Sequence, residues 1–262
     1  MNHASVRQYE CSTLRSYDEL HTATELYARV FGYSSPDLQL NTNLLSALAR
    51  NGGSTVGVHG EDGELVGFAY GFAGRDRAGN EFHYSQAAVV DPAHQSGGVG
   101  RMLKQAQREV ALGWGHQHMR WTFDPSLARN AHFNFSTLGA EGIDYVADYY
   151  ARPGTDRIVV DWDLSRDIDP YAAARAIDPP AFRTEDWGTV TPASSAEGLD
   201  AVWLPVPAQT HAGHGDALTA SAAARAGLRD LLADDRVLVA CTRIDDSTAA
   251  HLAVRRHTRG TP

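Results

Sequence analysis

Apolar residues recur at helical spacing behind the polar start Ser16-Tyr17-Asp18-Glu19, where Leu20, Ala23, Tyr27, Val30 and Phe31 share one side until Gly32. A serine followed three residues later by glutamate is a capping box, so the pattern predicts a first helix stopped at Gly32. A second helix is expected from Ser35-Pro36, with Leu38, Leu44, Leu45 and Leu48 on one side and Asn51-Gly52-Gly53 at its end. The period then shortens to two. Thr55 to His59 and Leu65 to Ala73, joined through Asp62-Gly63, read as a β-hairpin, and Glu81 to Val90 reads as a third strand ended by Asp91-Pro92. Met102, Ala106 and Val110 restore the helical period, so a helix over Gly98 to Leu112 follows a glycine-rich turn directly.

Further on, the pattern predicts a strand at Met119 to Phe123, a helix over about Leu127 to Leu138, and strands at Ile143 to Tyr150 and Ile158 to Leu164. The fold class that results is α/β, a mixed α+β sheet. Beyond Leu164 the composition turns to Asp, Ala, Pro and Arg, which places a boundary near Ser165 and divides the chain into 1–164 and 165–262. The second part holds the apolar stretch Ala201 to Val206, a helix over Asp216 to Leu232 and a strand at Val237 to Cys241. Together these make a small βαβ-like unit with a ragged polar tail.

Composition narrows the chemistry. The sequence has 262 residues, a net charge of −9 and two cysteines, Cys11 and Cys241. Two cysteines build neither a disulfide framework nor a Cys-rich metal site. The negative charge opposes binding to phosphate polymers, so no nucleic-acid partner is expected and a small molecule fits better. No apolar run is long enough for a membrane span, and Met1-Asn2-His3 lacks the apolar core of a signal peptide, so the expected address is cytoplasmic. His211 and His214, with Asp216 nearby, have short, metal-like spacing, but Ala212, Gly213 and Gly215 make the segment a loop, and no metal is expected there.

An acidic protein that binds a polyanion must do so locally, and the turn Gln95-Ser96-Gly97-Gly98-Val99-Gly100 offers such a place. A strand feeding through glycines into a helix start presents N–H groups and the positive end of a helix dipole to one point. Glycines also simply make tight turns. A P-loop would need Lys then Ser or Thr where Arg101 and Met102 stand, and a dinucleotide turn would need glycine at Leu103.

The turn resembles the QxxGxG signature of the GNAT (GCN5-related) acetyltransferases, with Gln95, Gly98 and Gly100 in register, and the element order is similar over about residues 5 to 164. Asn130 to Ala140, closing on Leu138-Gly139, resembles a second family segment. Trp121 to Pro125 and Tyr149-Tyr150 are similar to a bacterial GNAT branch with a C-terminal extension.

The resemblance implies an N-acyltransferase that moves an acyl group, by default acetyl, from acyl-CoA to a primary amine of a small molecule by direct attack in a ternary complex. It implies that Gln95, Ser96, Gly97, Gly98, Val99, Gly100 and Arg101 hold the pyrophosphate. Ala88, Val89 and Val90 would meet the pantetheine and the thioester oxyanion with backbone groups, and Asn130 and Asn134 would bond the pantetheine arm. Asn130 capping its own helix is the structural alternative.

Glu81 and His83, alternating on one strand face with Ser85, are the candidate general bases, against a solvated carboxylate and an ordinary surface imidazole. The family's thiolate-protonating tyrosine falls at Phe135, which has no proton to give, so Tyr149, with Tyr145 and Tyr150, is the candidate substitute on the following strand. Phe135 equally suits a CoA-binding sensor or assembly module without turnover. The carboxy-terminal unit is expected either to cover the acceptor site or to make a subunit contact, the latter implying a homodimer.

Overall fold

Ser16 caps the first helix as its sequence predicts. The Glu19 N–H donates to Ser16 Oγ at 3.3 Å, and the Glu19 carboxylate takes the Ser16 N–H at 2.8 Å. Helix α1 runs over Tyr17–Phe31 and closes on Gly32 at φ 66°. The second expected helix begins later than Ser35-Pro36. Pro36–Leu38 makes one 3₁₀ turn, and α2 spans Thr42–Arg50 behind Asn41, whose side chain accepts the Leu44 N–H at 3.0 Å. Asn41 satisfies an orphan donor of the first turn, and that fixes the start.

This computed structural model describes residues 8–95, 97–193, 199–208 and 222–257. They form two compact units, Met1–Trp121 and Thr122–Pro262.

In the first unit, strands β1 (Glu10–Thr13), β2 (Ser54–His59), β3 (Leu65–Arg75), β4 (Glu81–Val90) and β5 (His118–Phe123) lie in that order. Strand β1 is an unpredicted edge: four residues without alternation, held by antiparallel pairing from Glu10↔His59 to Thr13↔Val56. Helix α3, Val99–Gly113, connects β4 to the parallel β5. Leu20, Leu26, Phe68, Tyr70 and Val89 pack under α1, whereas Val56, Val58, Ala69, Val99 and Leu103 pack under α3.

One irregularity sets the site. Tyr70 pairs with Ala87 but Gly71 with Ser85, so Gln86 is an extra residue in β4. A one-residue bulge moves all later side chains to the other face. His83 and Ser85 therefore point toward α3, while Ala87 and Val89 join the α1 core. A Cβ on Gly71 would stand 2.4 Å from the Tyr84 carbonyl oxygen, so the bulge needs glycine opposite it.

The second unit starts with α4 (Ala128–His132), which passes into a π turn at Phe133–Thr137 in place of one continuous helix. Strand β6, Glu141–Val146, pairs with β7, Arg157–Asp163. The expected strand to Tyr150 ends at Val146, because Asp148 and Ala151 take positive φ in the turn that follows. Helix α5 (Ala172–Arg175) and strands β8 (Thr191–Pro192) and β9 (Ala201–Pro207) come next. They are followed by α6 (Ala222–Ala233), β10 (Arg236–Arg243) and β11 (Thr248–Arg255).

The polar tail expected after Cys241 is corrected by β11. That strand sits between β10 and β9, antiparallel to both, with Ala249, Ala250, Leu252 and Ala253 fully buried. Small apolar side chains with partners on both edges need no alternation to be a core strand. The expected strand-helix-strand is thus β9-α6-β10 with β11 inserted between its strands. Among the described residues no helix is long and apolar enough to cross a membrane.

Candidate active site

The turn between β4 and α3 is built from its ends. The Asp91 carboxylate accepts the Ala93 N–H at 3.0 Å and meets Arg29 at 3.2 Å, with its acid strength increased by both. Gly98 takes φ +79° at the start of α3, where no side chain makes a capping hydrogen bond. A Cβ there would meet nothing within 4 Å. The α3 start is therefore open and uncapped, and it carries Arg101 one residue after Gly100, which fits a phosphate group. Ser96 lies outside the described residues, as do His211, His214 and Asp216.

Strands β4 and β5 pair at His83↔Met119 and Tyr84↔Arg120, immediately before the bulge. Ala88, Val89 and Val90, beyond it, are held from the β3 side through Ala69, Phe68 and Gly67. A parallel pair that stops after two rungs leaves β4 backbone groups for another partner.

Behind this point lies a polar cluster in the α3 core. Ser85 Oγ donates to Gln107 Oε1 at 2.8 Å and accepts from Lys104 Nζ at 3.0 Å. The Lys104 ammonium stands 3.8 Å from the centre of the Trp121 ring. Burial pulls its pKa from 10.5 to about 7. His83 shares a 2.8 Å hydrogen bond with Ser54 and stacks on Trp114. Burial, and then the Lys104 charge, push its pKa to about 3. His83 is thus fully buried rather than a surface imidazole. Glu81, two residues earlier on the same face, is exposed and lines a polar cavity with Arg75, His116, His118 and Arg120.

In the second unit, Asn130 is exposed in the first turn of α4, whose N-cap is Leu127, so it does not cap that helix. Asn134 is buried in the π turn, where its carbonyl accepts the Ala140 N–H at 3.1 Å. Phe135 is fully buried with its ring against Phe123 and His251. Arg175 donates to the Phe135 carbonyl and, at 3.3 Å, to that of Gly139, a cation closing the end of the π turn. The Tyr145 hydroxyl donates to Asp156, and burial with that bond raises its pKa to about 12. Tyr149 sits in the turn after β6, not on a strand, with its N–H on the Thr155 carbonyl at 3.0 Å.

Residues 14–140 match the model of the acetyltransferase (GNAT) family. This segment, just under half of the chain, is similar to GNAT acetyltransferases. Among solved structures, a putative acetyltransferase from Salmonella typhimurium with its cofactor acetyl-CoA is 17% identical. The match covers 62% of this chain and 97% of that one at a TM-score of 0.49. The ribosomal-protein-S18-alanine N-acetyltransferase of Escherichia coli is 16% identical over 62% of this chain and 98% of its own, at 0.46. Naa50 of Arabidopsis thaliana, in complex with a bisubstrate analogue, is 15% identical over 59% and 98%, at 0.47. No curated protein matches this chain.

The family match makes acetyl transfer from acetyl-CoA the activity to weigh against the geometry of this site. Within the matched segment the fold brings Gly98 to Arg101 to the α3 start, where the helix was expected to begin, and sets Ala88 to Val90 beyond a bulge that was not expected. It also assembles residues that the sequence reading passed over, Lys104, Gln107, Ser54 and Trp114. A signal for two of them was present: Lys104 and Gln107 fall on the buried side of α3 with Val99, Leu103 and Ala111, where polar residues are rare.

Proposed function

We propose that this protein transfers acetyl from acetyl-CoA to the primary amine of a small molecule by direct attack in a ternary complex. The observation that carries the reading is the conjunction, in one unit, of the uncapped α3 start at Gly98 and a β4–β5 ladder that stops after Tyr84↔Arg120.

In this reading the N–H groups of Gly97 to Arg101 hold the pyrophosphate, with the Arg101 guanidinium adding charge. The backbone of Ala88 to Val90 aligns the pantetheine, and an N–H beside the bulge meets the developing oxyanion. Glu81, exposed at the polar cavity, takes the proton-accepting role of the pair first considered, because His83 with a pKa near 3 stays neutral and binds protons weakly. Residues 165–262 serve as an extension, with Arg175 fixing the π turn that carries Asn134.

A second reading, a CoA-binding module without turnover, draws support from Phe135, buried without a hydroxyl. Calorimetric titration with acetyl-CoA, on wild type and Gly98→Trp, separates these readings when followed by thiol release with a panel of amines. Binding lost in the variant together with thiol release is the expected result. Binding without release selects the module, and wild-type protein that ignores acetyl-CoA overturns both.

A further inference from the structure

The transferase reaction must end with a proton on the departing CoA sulfur. In the resembling family a tyrosine four residues before Gly139 supplies it, and this chain has Phe135 there. Tyr145 is committed to Asp156 and holds its proton up to a pKa of about 12. His83 is neutral near pH 7 and has no readily released proton.

The inference rests on the acetyltransferase reading above. We propose that Lys104 is the acid that protonates the departing CoA thiolate, presented where β4 and β5 part by Ser85 and the Trp121 ring.

Three observations support this placement. Lys104 touches Ser85, just before the bulge of β4, and the ring of Trp121, one residue past the last β4–β5 rung, beside the point at which the thioester end of the cofactor is expected. Ser85 has one hydroxyl proton, given to Gln107, so its lone pair faces Lys104 and fixes the direction of one Nζ–H. No carboxylate pairs with Lys104 among the described residues, so its charge is not already consumed by an ion pair. Negative charge developing on sulfur would supply the missing counter-charge. The low pKa suits the task, since an acid working near neutrality transfers its proton best when its own midpoint is close to the ambient pH.

The step balances. The amine nitrogen bonds to the thioester carbon, the carbon–sulfur bond breaks with its electron pair on sulfur, and one Nζ–H proton moves from Lys104 to that sulfur. CoA leaves as the thiol and Lys104 is left as a neutral amine. The proton shed by the attacking nitrogen as it becomes an amide returns to Lys104 through solvent. Nζ faces the Ser85 hydroxyl from β4 and the Trp121 ring from β5, and its charge acts on His83 of β4, which also feels His116.

Wild type, Lys104→Met and Lys104→Arg are titrated with acetyl-CoA in the calorimeter and assayed for thiol release with the amine panel from about pH 6 to about pH 9. Acetyl-CoA binding should persist in both variants while kcat falls by about 10²- to 10⁴-fold. The fall of wild-type kcat with rising pH, with its midpoint near 7, should be absent in Lys104→Met. Ser85→Ala keeps the lysine but removes an acceptor that favours its charged form, and should move that midpoint to lower pH. It serves if Lys104→Met does not fold.

Wild-type kcat in Lys104→Met, with wild type itself active, overturns the role of Lys104 and leaves the transferase reading standing. Full rescue by arginine, which keeps charge but does not release a proton, overturns the acid role, as does loss of acetyl-CoA binding in Lys104→Met or an unmoved midpoint in Ser85→Ala. Wild type that binds no acetyl-CoA overturns this inference and the transferase reading together.

Discussion

Lys104 Nζ and Ser85 Oγ meet at 3.0 Å in the buried space between α3 and β4, and the same hydroxyl donates to Gln107 Oε1 at 2.8 Å. The contact ties the helix that begins at the glycine turn to the strand residue just before the bulge. Ser85→Ala strips a partner from two buried polar groups at once, so it should lower unfolding free energy by about 1–3 kcal/mol. Urea denaturation measures this, and an unchanged midpoint would show that the network contributes nothing to stability.

Burial of Lys104 also sets a stability trend. Its folded-state pKa lies below the unfolded one, so between about 7 and 10.5 the unfolded chain binds more protons and stability from this group rises with pH. The penalty is complete below that window and gone above it. Relative to Lys104→Met, the wild type should gain stability as pH rises from about 7 to about 9. Parallel curves for the two proteins would mean that Lys104 keeps an ordinary pKa in the fold.

The opposite edge of the pH range belongs to two histidines. His83 and His251 are buried, and desolvation holds them near 3 and 4 respectively. A histidine with a lowered folded pKa contributes stability that is present above its unfolded value of about 6.5 and is lost as pH falls toward the folded one. Unfolding free energy should therefore drop between about pH 6.5 and pH 4. His251 has no hydrogen-bond partner on either ring nitrogen among the described residues. His251→Leu should flatten the acid limb and leave neutral-pH stability equal or higher, as thermal melts at several pH values would reveal.

Gly71 faces the bulge with no room for a side chain, since an added Cβ would lie 2.4 Å from the Tyr84 carbonyl oxygen and 2.5 Å from the His83 ring. Gly71→Ala should cost about 1–3 kcal/mol as an overpacked core position. It should also raise KM for acetyl-CoA more than it lowers kcat, because the displaced element is the strand proposed to align the cofactor. A variant with wild-type KM and stability would show that the bulge tolerates that displacement.

Local signals in the sequence were sufficient for the elements that stand on local chemistry. The Ser16–Glu19 box fixed the start of α1, and β4 ends at Asp91-Pro92 as expected. The step from glycine turn to α3 follows the motif Gln95, Gly98, Gly100, which also pointed to the family. These features depend on residues within a few positions of one another, and side-chain type decides them directly.

Other features were decided by neighbours distant in sequence. The bulge at Gln86 is a register mismatch between β3 and β4 and has no local signature. Strand β11 is a strand because β9 and β10 bond both its edges, although its alanines and His251 give no alternation. The Lys104–Ser85–Gln107 contact joins positions 19 and 22 residues apart, and burial there lowers the lysine pKa. Sequence by itself determined the helix caps and the glycine turn before α3, and pointed to the family. Only the tertiary structure decided which polar side chains lost their water and met each other, because desolvation and pairing belong to packed surfaces rather than to any single segment.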